Sequence, residues 1–233
     1  MCYHVSLTKS KPEIQNRFKT TFKNPDLFEP YYHLNGFSNA NGFIITSENH
    51  QIDKAKWGLK PENFTEHQVF NLNTLNAKSE TVFQSPLFSE PIIKRRCLVL
   101  ADGFYESKHI NGKKFPHYIY LEKNSLFAFA GIYNYENKGA INFSILTTSA
   151  NPFMANIHNS KKRMPIIIDD DFEKDWLNHS LKENEVKELV TSCFTKKELK
   201  AHSVSKDLHS KRETNSKEIL KPVYYQELNT LFD

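Results

Sequence analysis

Cysteine is scarce: there are three in 233 residues, an odd number that argues against a disulfide framework and for a reducing compartment. Glycine is also scarce at 7, and the 10 prolines do not cluster. With no hinge, repeat or low-complexity linker, residues 1–233 read as a single domain, long enough to bury a core without staples. No apolar run approaches the ~18 residues of a membrane span. No charged-then-apolar leader opens the chain, so no secretory signal is expected. Neither sign of charge dominates. Lys+Arg (31) and Asp+Glu (27) leave a formal net charge of +4, which permits nucleic-acid binding without indicating it. The motifs GxGxxG, Walker A, GxSxG and HExxH are absent, which excludes the nucleotide, serine-hydrolase and zinc-protease sites they mark. Cys2 and His4 have no second pair at ligand spacing, so neither a metal nor a cofactor is expected.

What is abundant is aromatic: 18 Phe, 10 Tyr and 2 Trp, too many for a disordered chain. β-Branched and aromatic runs predict strands. Residues 42–46 and 52–59 read as a hairpin, Cys97-Leu98-Val99-Leu100-Ala101 as a buried strand, and 117–121 with 126–135 as a second hairpin. Residues 141–148 and 164–168 add further strands. Helices are fewer. Ile14, Phe18 and Phe22 recur at helical spacing after Pro12, and residues 80–88 read as another helix. Asp170 with Glu173, and Ser180 with Glu183, resemble capping boxes that open two more. Many strands with segregated helices indicate an α+β class. The Lys-, Ser- and His-rich tail, from about residue 198 to 233, reads as irregular and packed on the domain.

A few residues carry chemical potential. Removal of Met1 would leave Cys2 with an α-amine and a thiol on adjacent carbons, both reactive near neutral pH. Such a residue condenses with an aldehyde to an imine and closes to a five-membered thiazolidine. The bland alternative is a small residue at a frayed end. Glu106 follows a buried strand among aromatics, where a carboxyl has a raised pKa and moves protons; a solvated strand-end Glu is the commoner case. His158 stands before Arg163-Met164-Pro165 and a strand, as a proton shuttle or a plain loop histidine. Asn76 and Lys78 precede the helix expected at residue 80, where Asn orients a substrate and Lys meets a phosphate, or where Asn76 and Ser79 simply open the helix. Trp57 ends a strand and suits either base stacking or the core. Cys97 and Cys193 read as buried small hydrophobes.

Taken in order, Met1-Cys2, Trp57-Gly58-Leu59, Asn76-Ala77-Lys78-Ser79-Glu80-Thr81, Arg95-Arg96-Cys97, Gly103-Phe104-Tyr105-Glu106, Thr147-Thr148-Ser149-Ala150-Asn151 and Ile157-His158 with Arg163-Met164-Pro165 resemble the SRAP family, the SOS-response-associated peptidases. The resemblance implies a β-rich fold with a barrel-like sheet core and flanking helices. It implies a cytoplasmic, monomeric sensor of abasic sites in single-stranded DNA, nucleoid-associated when DNA is damaged, that crosslinks the lesion through Cys2. In that scheme Asn76 positions Cys2 or the sugar, Glu106 moves protons, and His158 protonates the sugar oxygen or assists reversal. Trp57 stacks near the lesion, while Lys78, Thr147, Thr148 and Arg163 contact DNA. The chain departs from the family pattern at Tyr3-His4 in place of Gly-Arg, at Lys78 in place of Arg, and at Ser107 in place of Trp. A thiol autopeptidase, a non-covalent single-strand binder and an interaction protein are the competing readings.

Overall fold

Pairing of the apolar runs dominates the computed structural model, which describes residues 2–62, 64, 73–136, 139–210 and 212–228. The strands are β1 (His4–Leu7), β2 (Tyr31–Asn35), β3 (Asn41–Thr46), β4 (Ile52–Trp57), β5 (Asn76–Lys78), β6 (Arg96–Ala101), β7 (Gly103–Ile110), β8 (Lys113–Leu121), β9 (Phe127–Tyr135), β10 (Ile141–Ser149), β11 (Arg163–Pro165), β12 (Ile167–Ile168) and β13 (Leu199–Ser203). The helices are α1 (Lys11–Phe18), α2 (Ser89–Lys94), α3 (Pro152–Ile157), α4 (Glu173–Trp176) and α5 (Glu183–Ser192). No described helix is long and apolar enough to cross a membrane.

Five strands close on themselves. β3 pairs with β4, β4 runs parallel to β10, β10 pairs with β9, β9 with β6, and β6 returns to β3. Closure removes the open edges of this sheet, and the barrel's Ile44, Val99, Phe129, Ile132, Phe143 and Ile145 belong to the main apolar core. The α+β class and barrel-like core expected from the sequence are therefore present. A second sheet, in the order β13-β8-β7-β1-β2, lies beside the barrel.

Two buried ions fasten these parts. The Arg96 guanidinium is fully buried and donates only to backbone carbonyls: Ile92 and Ile93 at the end of α2, and Trp176 and Asn178 at the end of α4. One cation thus satisfies the orphan carbonyls and negative dipole ends of two helices. Asp102, at the corner between β6 and β7, accepts from Ser6 Oγ at 2.7 Å, from Thr8 N at 2.7 Å and from Thr8 Oγ1 at 2.5 Å. Its own N–H donates to Ser6 O at 3.0 Å. These bonds set β1 against β7 in the register Ser6–Gly103 and Val5–Phe104. Position 103 has to be glycine, because a Cβ there would stand 2.2 Å from the Tyr118 hydroxyl oxygen.

Several expectations need correction. The first helix stops at Phe18, short of Phe22, and the cap ahead of α4 is Asp169, accepting from Asp171 N, not Asp170. Residues 117–121 and 126–135 are strands but do not form a hairpin: β8 belongs to the flanking sheet and β9 to the barrel. Lys123 and Asn124 adopt positive φ (64° and 49°) and send the chain from one sheet to the other. β8 instead pairs with β7 across Asn111-Gly112, both at positive φ, as a two-residue hairpin turn of the primed type requires. Residues 80–88 are a series of turns, because Pro86 lacks an N–H and biases Ser85 away from helical geometry; the helix begins only at Ser89. The Ser180 box is displaced, since the bond that caps α5 runs from Lys182 N–H to Glu185 Oε2 at 2.7 Å. The tail is not wholly irregular either, because β13 extends the flanking sheet along β8.

Asp102→Ala strands three donors beneath β1. It is expected to lower the unfolding free energy by about 2–4 kcal/mol, read as a lower urea midpoint at unchanged m-value.

Candidate active site

β1 brings Cys2 into the interior, where it is fully buried. Gly36 N donates to Tyr3 O at 2.9 Å, which ties the strand's head to the end of β2. On its other side stands Asn76. β5 pairs in parallel with β10, Ile145 opposite Asn76 and Thr147 opposite Lys78. This places the Asn76 side chain under the terminus, where its Nδ2 donates to Cys2 O at 2.8 Å. Asn76 Oδ1 is buried and has no hydrogen-bond partner among the described residues. The Cys2 thiol reaches only its own strand, donating to His4 O at 3.8 Å. Burial, and then the Glu106 charge, push this thiol far above the ordinary cysteine range.

Glu106 lies on β7, opposite His117 of β8, and burial raises its carboxyl to about 7. His158 closes α3: its N–H donates to Met154 O at 2.7 Å. Its ring Nδ1 lies 3.7 Å from Glu106 Oε2 and 2.8 Å from Arg163 O. A carbonyl only accepts, so Nδ1 carries the proton and Nε2 keeps a lone pair. Burial lowers the His158 pKa to about 4, so the ring is neutral at pH 7.

Beside Glu106 and His158 opens a cleft of about 380 Å³, lined also by Tyr3, His4, Phe37 and His209 among others, while Cys2 and Asn76 lie behind its lining. Lys114 and Lys161 stand exposed at its mouth. His4 Nδ1 shares a proton with His33 Nε2 at 2.8 Å, and His33 Nδ1 meets Thr214 Oγ1 at 2.5 Å. Burial, with His33 and His209 adding to it, takes His4 down to about 3, so this wall is uncharged. A larger groove of about 670 Å³ lies elsewhere, bounded by Thr148, Phe153 and Lys196. None of Cys2, Asn76, Glu106 and His158 lines it. Among the described residues no group of three or more His, Cys, Asp or Glu is placed to hold a metal ion.

The fold thus brings Cys2 to Asn76 and Glu106 to His158, and the Coulomb effect of Glu106 on the Cys2 thiol couples the two pairs. The residues expected to contact DNA fare differently. Trp57 is buried, with its indole N–H on Leu75 O at 2.8 Å and its ring stacked on Phe143. It supports the wall beside the cleft and offers no face for a base. Thr147 is buried as well, and Thr148 is half-exposed in the larger groove. Arg163 holds Glu80 with both terminal nitrogens, at 2.6 and 2.9 Å, and donates to Thr147 O at 2.7 Å. A phosphate would have to compete with that carboxylate. Lys78 is exposed. The aromatic that does face solvent at the cleft is Phe37, 60% exposed and packed 4.6 Å from Tyr3. Its only signal in the sequence is an apolar residue in the polar turn Asn35-Gly36-Phe37-Ser38-Asn39.

Comparison with known proteins points one way. A family model described as SOS response associated peptidase (SRAP) matches residues 1–211. The abasic site processing protein YoaM of Bacillus subtilis is 30% identical over 226 residues, covering 94% of this chain and 97% of its own. The abasic site processing protein HMCES of Gallus gallus is 30% identical over 196 residues, covering 72% of this chain and 56% of its own. A crystal structure of a protein from Bacteroides thetaiotaomicron superposes with a TM-score of 0.84 at 30% identity, over 96% of this chain and all of that one.

The raised Glu106 carboxyl has a thermodynamic consequence. The folded state binds this proton more tightly than the unfolded state, whose carboxyl titrates near 4.5. The stabilisation is full below pH 4.5 and is lost as pH rises through about 7. Glu106→Gln is therefore expected to raise stability above pH 7, by up to about 3 kcal/mol, and to change little near pH 4. Thermal melts at the two pH values measure the difference.

Proposed function

The chain belongs to the SOS response associated peptidase (SRAP) family, and from that membership we propose that it processes abasic sites in single-stranded DNA, capturing the lesion covalently through Cys2. The observation that carries this reading is the meeting of a buried Cys2, pinned by Asn76, with a carboxyl and an imidazole whose ordinary charges burial has suppressed.

The chemistry follows from those protonation states. Once Met1 is gone, the Cys2 amine attacks the C1′ aldehyde of the open abasic sugar and gives a carbinolamine. Loss of water forms the imine. The thiol then adds to the imine carbon, its proton passes to the nitrogen, and a thiazolidine results; the balance is aldehyde plus aminothiol to ring plus water. Burial holds the thiol protonated, so the amine acts first and the sulfur needs a base at the moment of closure. Glu106, titrating near 7, serves both needs. As the acid it protonates the departing hydroxyl, and as the base it accepts the thiol proton. His158 is neutral, with its Nδ1–H on a carbonyl. This suits it to take the hemiacetal proton during ring opening rather than to donate one, the role that the family resemblance implies. Asn76 Oδ1 has acceptor capacity to orient the Cys2 amine.

Several features fit a single strand. The cleft has room for an extruded sugar and its phosphate. Phe37 offers a stacking face beside it, and Lys78, Lys114 and Lys161 supply phosphate contacts. An abasic nucleotide enters at low cost because no base has to be unpaired.

Purified protein is expected to yield a band that survives boiling and denaturing electrophoresis with single-stranded DNA carrying one abasic site. The band should be absent with Cys2→Ala and slowed by about 10²–10⁴ with Glu106→Gln. Intact mass should show Met1 removed. A Met1-free protein that gives no such band would refute covalent capture. Phe37→Ala is expected to cost about 1–3 kcal/mol of single-strand affinity, measured by fluorescence anisotropy on the Cys2→Ala background.

A further inference from the structure

β1 covers the edge of β7 only at Gly103 and Phe104. Farther along the same strand, one side chain takes the place of a pairing strand. Asn159 Oδ1 accepts from His109 N at 2.9 Å, and Asn159 Nδ2 donates to His109 O at 2.8 Å. A carboxamide that meets both the N–H and the C=O of one residue reproduces the two bonds a neighbouring strand would make. It fixes the distance and the plane of the loop against β7. That loop runs from His158 to Arg163, and it closes on itself through Lys162 N–His158 O at 2.8 Å and Ala150 N–Lys162 O at 2.9 Å. His158 is the residue beside Asn159, and Glu106 lies three residues before His109 on β7.

We propose that Asn159 is the positioning residue of this site: by pairing with the His109 backbone it locks the loop to β7 and sets the separation of His158 from Glu106. A second tether, Lys108 Nζ to Asn156 Oδ1 at 2.9 Å, joins α3 to β7 at an exposed point. It has one bond and a flexible arm, so it cannot fix an orientation. The loop held by Asn159 carries His158 against Glu106 at 3.7 Å and so contributes to the burial that raises the Glu106 carboxyl. The titratable groups around the Glu106 carboxyl are Cys2 and Tyr3 at the head of β1, His117 across on β8, His158, and the chain's amino group. Only His158 is carried by the clamped loop.

The inference rests on the proposed function for its kinetic readout alone; the Glu106 titration, followed by NMR of glutamate carboxyl carbons, reads it independently. Asn159→Ala is expected to move the Glu106 midpoint from about 7 toward the ordinary 4.5. It should slow crosslinking about 10²-fold while changing affinity for a tetrahydrofuran abasic analogue by no more than about twofold. Asn159→Asp keeps the acceptor for His109 N–H but loses the donor to His109 O. It should still lose at least about tenfold in rate, and it decides the matter should the alanine variant not fold. Lys108→Ala should leave the midpoint in place. An unmoved midpoint in a folded Asn159 variant overturns the inference, as does a loss of crosslinking that only parallels a loss of analogue binding. Should the unaltered protein form no crosslink, the functional reading fails and the titration still decides the role of Asn159.

Discussion

The site depends on one buried carboxylate that takes no part in the chemistry. Asp102 gathers Ser6, Thr8 and the backbone of β1 onto the corner where β6 turns into β7. Antiparallel register then propagates without further instruction. With Ser6 opposite Gly103 and Val5 opposite Phe104, the residues ahead of His4 are directed along the β7 side of the sheet. A slip of one residue would invert the faces of β1 and take Cys2 out of its buried place beside Asn76. Glycine at 103 belongs to the same device, since only a residue without Cβ lets the Tyr118 ring close over the corner.

Around that frame the site is organised by desolvation more than by ion pairing. Glu106 is held near neutrality, His158 and His4 are held uncharged, and the Cys2 thiol is held protonated, with burial the leading cause in each case. The cationic side chains stay at the mouth, where water solvates them. The result separates charge by depth: exposed lysines at the mouth and neutral titratable groups inside. Arg163, which would otherwise bring a permanent charge close to His158, is held by Glu80.

Much of this was legible in the residues. By type and place Cys2, Glu106 and His158 each had a bland reading, and only the family resemblance singled them out; the barrel strands showed in β-branched and aromatic runs. The failures have physical causes. A strand-end tryptophan suits either surface or core, and a stacking role for Trp57 comes only from the family resemblance; the packing of Phe143 and the carbonyl of Leu75 hold it in the core. Residues 117–135 looked like one hairpin because periodicity reports that strands exist and is silent on which sheet they join. The true hairpin signal was the Asn111-Gly112 pair, whose positive φ angles suit a tight turn. Asn159 could not be found at all. Its importance lies in two bonds to a backbone 50 residues away, and an asparagine in a loop carries no local mark of such a contact.

The place of β1 in the flanking sheet bears on the order of events during synthesis. β1 precedes the other strands in the sequence, yet it sits between β2 and β7, and its anchor is 96 residues away in sequence. Contacts that distant form late, because a long loop must close before they reward it. The head of β1, with Cys2, therefore reaches its buried place only once β7 has been made.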